Sequence, residues 1–255
     1  MESTILLLGL IGFCAGLIDA AVGGGGLVQL PGLLGMLPNT PPATIFGINK
    51  FASICGTSMA VRQYLRQVRL PWALMLPAMA CAFVAAFGGA MVVSMVPVKW
   101  LKPVILVLLI AMAIYTFVKK DFGKVHKPKT VTRRDRVGAA LWGGALGFYD
   151  GIFGPGTGSF LAFVFVRFFS FDFLHAAAAA RVVNLMTNFA ALSFFIPAGH
   201  ILWHYAVPMA VCNMAGGIVG ARLAIRGGVR VIRILFLILM VVLIGKFAYD
   251  IFVVR

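Results

Sequence analysis

Two short stretches put ionisable and backbone-flexible residues where a membrane helix would carry neither. "GLIDAAVGGGG" (Gly16–Gly26) sets Asp19 a few residues ahead of the glycine run Gly23–Gly26, and "GFYDGIFGPGT" (Gly147–Thr157) sets Asp150 in the same relation to Gly154 and Gly156. Ionisable groups inside apolar segments are costly and usually functional. A helix that restarts after such glycines presents free N–H groups carrying partial positive charge, which can hold an oxyanion. Glycine also lets a ligand approach the backbone closely. In the second stretch "GPGTGS" adds Gly158 and the hydroxyls of Thr157 and Ser159. The other reading of the glycines is close helix packing, which small residues provide in membranes; that reading fits Gly9, Gly12 and Gly16 better. Lys50 follows Asn49 directly, and Arg181 stands just before Asn184. These two cations could attract the anion, with Asp19 or Asp150 carrying a coupling proton. Alternatively, the aspartates cap broken helices and pair with the cations. Asn49, Ser53, Asn184, Thr187 and Asn188 either line the pathway or join helices by hydrogen bonds.

The elements that must position these groups are apolar. Of 255 residues, 62% are hydrophobic and 11% charged, against roughly 25% charged in soluble domains. Long uncharged runs such as Ile5–Ile18 and Pro71–Pro97 imply an all-α polytopic membrane protein. The net charge of +15 is concentrated in part in "KKDFGKVHKPKTVTRRDR" (Lys119–Arg136). That segment reads as a cytoplasmic loop that can touch anionic headgroups, not as a nucleic-acid site. The first apolar stretch has no Lys or Arg before it, so a cleavable leader is not expected. Cys14, Cys55, Cys81 and Cys212 all fall in apolar segments without a CxxC. They read as small buried residues rather than disulfides or metal ligands.

The chain repeats itself with a shift of 131 residues: Gly16 falls on Gly147, Asp19 on Asp150, Pro77 on Pro208 and Gly89 on Gly220. Residues 1–118 and 137–255 form the repeats, with 119–136 as a basic cytoplasmic linker. Each repeat reads as four apolar blocks: Ile5–Leu37, Ala43–Leu65, Pro71–Val96 and Val98–Val118, then Val137–Phe169, His175–Ile196, Trp203–Ile225 and Val229–Val253. The first block of each repeat has 33 residues broken by glycine, whereas one crossing needs about 20.

Charge decides what the long blocks do. If each crosses once, the repeats run parallel, with twelve cations inside and seven outside. If each is a hairpin, the repeats are inverted, with sixteen inside and three outside; Lys50, Arg181 and Lys246 are intramembrane either way. The second count fits the positive-inside rule. The expectation is therefore two inverted repeats, each a glycine-broken hairpin plus three transmembrane helices, with both termini outside. Lys246 and Asp250 form a local pair in the last helix.

Inverted repeats with interrupted helices are the signature of a secondary transporter, with the site at the repeat interface. "GLIDAAVGGGGLVQLPGL" and "GALGFYDGIFGPGTGSFLAF", followed by "INK" and "VVNLMTN", resemble the TauE/SafE family of sulfite exporters and sulfonate permeases across essentially the whole chain. The resemblance implies export or uptake of small sulfur-containing anions through the bacterial inner membrane. It carries over Asp19, Gly23, Gly24, Gly25, Gly26, Asn49, Asp150, Gly154, Gly156, Thr157, Gly158, Ser159 and Asn184 as site residues. Pro31 corresponds to Ala162 between the copies, so the hairpins are expected to differ in rigidity.

No cofactor is expected: the GK[ST] ending, the G-x-G-x-x-G spacing and H-E-x-x-H are all missing. An enzyme is not expected either. The alternative function is an anion channel using the same donors, which would need a continuous pore with several weak sites. The expected partners are a small anion, the lipid bilayer and a coupling proton. Oligomeric state is not legible in the sequence.

Overall fold

The computed structural model describes residues 2–95 and 131–227, together with isolated helical positions in 103–114 and 241–245. The fourth apolar block of each repeat, most of the basic linker, Lys99, Lys102, Arg230, Arg233, Arg255 and the Lys246–Asp250 pair lie outside the described residues or among these isolated positions. Among the described residues the chain is entirely helical. The elements are α1 (Glu2–Val22), α2 (Gly25–Met36), α3 (Pro42–Leu65), α4 (Trp72–Val93), α5 (Arg133–Ile152), α6 (Thr157–Phe169), α7 (Phe173–Phe195) and α8 (Trp203–Ile225). By length and composition α1, α4, α7 and α8 can each cross a membrane.

Local signals start and stop these helices. Pro42 opens α3, where its missing N–H costs nothing. Asp172 caps α7 by accepting from the His175 amide at 2.7 Å. Thr132 and Asp135 form a reciprocal capping box at the head of α5. That box starts α5 at Arg133, inside the stretch taken as linker and before the apolar block at Val137. The glycines end α1 and α5: Gly23 takes φ +86° and accepts no β-carbon cheaply, while its amide donates to the Asp19 carbonyl at 2.8 Å.

Each long glycine block is a hairpin. Along α2, Gly25 backs onto Ala15 and Asp19 and Gly32 onto Ile11, so α2 returns antiparallel to α1. Along α6, Phe168 stacks on Trp142 and Phe160 meets Tyr149, so α6 returns along α5. With 12 and 13 residues, α2 and α6 reach only about 18–20 Å, too short for a full crossing.

The remaining directions follow from side-by-side contacts. Gly12 lies against Met209, Gly16 against Asn213 and Gly220 against Leu17, so α1 and α8 run the same way. Gly47 against His200 and Gly56 against Asn213 align α3 with α8. Gly143 against Ala78 and Gly147 against Ala82 align α5 with α4. Phe83 with Phe189 and Phe87 with Phe194 align α7 with α4. The Tyr64 ring, near the end of α3, lies under Arg181 in the first half of α7, while Gly47 lies beyond the far end of α7 at His200. Thus α3 and α7 are opposed. Helices α1, α3 and α8 point one way; α4, α5 and α7 point the other. Adding 131 to Gly12 and Gly16 and subtracting it from Met209 and Asn213 turns the α1–α8 contacts into the α5–α4 contacts. Small residues at these crossings let the backbones approach, the usual packing of membrane helices.

The charges sort by end. Of the described Lys and Arg, Arg62, Arg66, Arg69, Arg133, Arg134, Arg136, Arg167, Arg222 and Arg226 all gather where α3, α6 and α8 end and α4, α5 and α7 begin. The other two, Lys50 and Arg181, are buried at mid-helix, 1% and 2% exposed. The cysteines differ from expectation: Cys81 is exposed and Cys14, Cys55 and Cys212 are half-buried. On a chain that faces lipid, outward positions are as apolar as inward ones, so hydropathy does not separate them. In a cysteine-free background, thiols at positions 66, 136 and 226 should react with an impermeant maleimide from one side of the membrane and a thiol at 200 from the other. Labelling of 226 and 66 from opposite sides would contradict the helix directions.

Candidate functional site

The hairpin turns meet beside the middle of α3 and α7, deep in the apolar layer. The Ser159 amide donates to the Gly23 carbonyl at 3.3 Å, and the Ser159 hydroxyl donates to the Val22 carbonyl. A β-carbon on Gly158 would come within 2.7 Å of the Gly23 Cα. Gly26 faces Pro155, 3.4 Å from where its own β-carbon would sit. The Gly23–Gly158 approach requires glycine on both sides.

A helix end in lipid leaves carbonyls that water cannot reach. Side chains from elsewhere in the fold satisfy those of α1. Arg181 Nη2 donates to the Asp19 carbonyl, Tyr64 OH donates to the Ala20 carbonyl at 2.8 Å, and Ser159 takes Val22. The end of α5 has its own cation: Lys50 Nζ lies 2.6 Å from Asp150 Oδ2, with both side chains 2% exposed. Thus α3 sends Lys50 to the end of α5, and α7 sends Arg181 to the end of α1. A cation at a helix C-terminus complements the dipole.

The two aspartates differ. Asp150 holds Lys50 and takes a long contact from Asn184 Nδ2 at 3.4 Å. Asp19 reaches over the start of α2, accepting from the Gly25 amide at 3.2 Å and the Thr57 hydroxyl at 3.4 Å. Among the described residues its carboxylate accepts hydrogen bonds only from neutral donors, and the residue is half-buried. Arg181 has no carboxylate partner among the described residues, and its Nε has no acceptor.

The other expected site residues fall as follows. The amides of Gly24, Gly26 and Gly158 have no acceptor among the described residues. Gly154 and Gly156 adopt φ +83° and +79° to form the second turn. The protons of Thr157 and Ser159 go to the Gly154 and Val22 carbonyls, so neither is free to donate outward in this conformation. Asn184, Thr187 and Asn188 form a hydrogen-bonded ladder along α7. Asn49 is buried with its Oδ1 unpartnered, and its carbonyl accepts from Gln29 at 3.2 Å.

Gln29, Thr57, Tyr64 and Asn213 complete the arrangement and were not singled out from sequence. Asn213 Nδ2 donates to Gln29 Oε1 at 3.1 Å. Gln29 is fully buried and is the one amide side chain in α2; an amide inside an apolar helix was the signal.

An all-helical bundle with paired, glycine-tipped half-hairpins and buried charges at their meeting point defines a polytopic membrane protein of the transporter class. The family profile described as "Sulfite exporter TauE/SafE" matches residues 8–247, and the chain belongs to that family. It is 33% identical over 238 residues to the "Probable membrane transporter protein ORF9" of a Sinorhizobium species, covering 93% of this chain and 90% of that one. It is 32% identical over 248 residues to the "Probable membrane transporter protein YfcA" of Escherichia coli K12, covering 96% and 91%. A "Probable membrane transporter protein" of Haemophilus influenzae is 31% identical, covering 94% and 92%. No solved structure matches the chain. The family and these relatives are membrane transporters rather than enzymes, and this chain is a membrane transporter.

Removing one partner of a buried ion pair leaves an uncompensated charge, at a cost of about 3–5 kcal/mol. Lys50→Met and Asp150→Leu should each lower the unfolding midpoint of the purified protein sharply, and the double substitution should lower it less than either alone. Additive losses would show that the pair contributes no coupling.

Proposed function

We propose that the chain carries a small sulfur oxyanion, sulfite or a sulfonate, across the bacterial inner membrane by alternating access, with a proton as coupling ion. The observation that carries this reading is the meeting of the two glycine turns at mid-height. The turns arrive from opposite directions, with amides at Gly24, Gly26 and Gly158 that meet no acceptor among the described residues and the buried guanidinium of Arg181 alongside. Amides at helix starts together with a cation make an oxyanion site. In this reading Asp19 holds the place of the anion over the start of α2, and the arriving substrate displaces it.

The topology follows the same reading. Counterpart helices in the two halves run in opposite directions, which supports an inverted repeat. The arginine-rich end faces the cytoplasm by the positive-inside rule, making the chain multi-pass with α1 entering from outside. An inverted pair can exchange conformations, so that a site between the turns opens first to one side and then to the other. The description of the matching family, "Sulfite exporter TauE/SafE", supports sulfur oxyanions as the cargo. Direct contact between Gly23 and Gly158 favours a carrier over a channel, which needs a continuous path.

Purified protein should gain thermal stability with sulfite or alkyl sulfonates and less with carboxylates of the same size. Arg181→Ala should abolish that gain while leaving a cooperative melt. Reconstituted protein should show counterflow: sulfonate inside vesicles should accelerate entry of labelled sulfonate. Stabilisation unchanged by Arg181→Ala would remove Arg181 from the site, and flux without counterflow would favour a channel.

A further inference from the structure

The buried centre holds four ionisable groups that matter for charge: Lys50, Arg181, Asp19 and Asp150. Counted as ionised, they balance, two positive against two negative. An anion entering this low-dielectric space adds an uncompensated charge, and the desolvation cost of that is several kcal/mol per ion. A proton entering with the anion restores the balance. Geometry distinguishes which acid can take it.

Asp150 is already engaged by a cation. It is 1% exposed and in direct contact with Lys50 Nζ at 2.6 Å. Neutralising it would strand the lysine charge beside the Gly154 turn. Asp19 is less enclosed than Asp150 and has no cation in direct contact among the described residues. From α2 it faces the Gly25 amide, and from α3 the Thr57 hydroxyl. Tyr64 of α3 and Arg181 of α7 approach the backbone of the same helix end; from α8, Asn213 meets the preceding turn at Gly16. A protonated Asp19 keeps these contacts, accepting from Gly25 and donating to the Thr57 oxygen. Its neutralisation leaves Arg181 as the one buried cation here without a compensating charge, and Arg181 Nε already lacks an acceptor.

We propose that Asp19 is the proton-carrying group of the transport cycle and that each anionic charge enters with a proton, so that transport is electroneutral. Protonation of Asp19 removes the negative charge from the neighbourhood of Arg181 and leaves only a weaker neutral hydrogen bond on the Gly25 amide, which the arriving anion displaces. The Lys50–Asp150 pair stays closed as the structural counterpart in the other half. This proposal rests on the anion-carrier reading above and adds the identity of the acid and the stoichiometry.

Methanesulfonate is a suitable probe, because it is a monoanion across the whole working pH range. Calorimetric titration of the protein in lipid nanodiscs, in buffers of different ionisation enthalpy, counts protons taken up on binding. Wild-type protein should take up about one proton per methanesulfonate, and its affinity should rise by about tenfold per pH unit of acidification above the titration of Asp19. Asp19→Asn, which mimics the protonated acid, should bind with no proton uptake and no pH dependence. In proteoliposomes, wild-type influx should follow an inward proton gradient and ignore a potassium diffusion potential of either sign. Binding without proton uptake in wild type, uptake retained in Asp19→Asn, or flux that responds to the potential would overturn the proposal while leaving the carrier reading intact. Failure of methanesulfonate to bind wild type or Asp19→Asn at millimolar concentration would overturn the sulfonate reading and the proposal with it.

Discussion

Everything in this bundle depends on how backbone groups at two broken helices are satisfied where no water reaches them. An exposed carbonyl in hydrocarbon costs several kcal/mol, and the end of α1 would expose several. The chain solves this by sending polar side chains across the molecule. Arg181 and Ser159 close the end of α1, and Lys50 sits at the end of α5 on Asp150. Neither half has a satisfied centre by itself. The helix pairing has the same character: α1 packs on α8 and α5 on α4 through glycines that leave no room for a side chain.

That constraint also shapes what the centre can do. The groups that complete the helix ends are those an anion would use: helix-start amides, a guanidinium and a carboxylate that can leave. A substrate can replace an internal contact with an equivalent one, keeping the number of unsatisfied polar groups constant. Such exchange suits a carrier, whose states must lie close in energy. The two sides of the centre are not alike. The Lys50–Asp150 side is a tight buried pair, while the Asp19–Arg181 side is loose, with long contacts and an unpartnered Nε.

Much of this was legible in the sequence. The glycine runs beside Asp19 and Asp150, recurring at a fixed shift, marked both hairpins and their turns. The blocks Ala43–Leu65 and Trp203–Ile225 match α3 and α8 to within a residue, because Pro42 and the loop before Trp203 punctuate them. Lys50 and Arg181 stood out because charge in an apolar run has few explanations. What the sequence did not carry is partner choice. Nothing in it says that Lys50 takes the carboxylate of Asp150 while Arg181 takes a carbonyl, since contacts between distant helices leave no local trace. The hydroxyls of Thr157 and Ser159 read from sequence as donors for an anion, yet backbone carbonyls claim them. Gln29 and Asn213 were passed over because a single amide is a weak signal beside four glycines. The early start of α5 was readable in Thr132-x-x-Asp135 and hidden by the surrounding positive charge.

The central claim is that an oxyanion binds between the two glycine turns, against Arg181 and the amides of Gly24, Gly26 and Gly158. Selenite scatters anomalously and shares the shape and charge of sulfite. Crystals of the protein grown with selenite, measured at the selenium edge, test the claim directly. The account predicts one strong anomalous peak at the meeting of the turns, within hydrogen-bonding reach of the Arg181 guanidinium. A peak confined to the arginine-rich end of the bundle, with none between the turns, would contradict it.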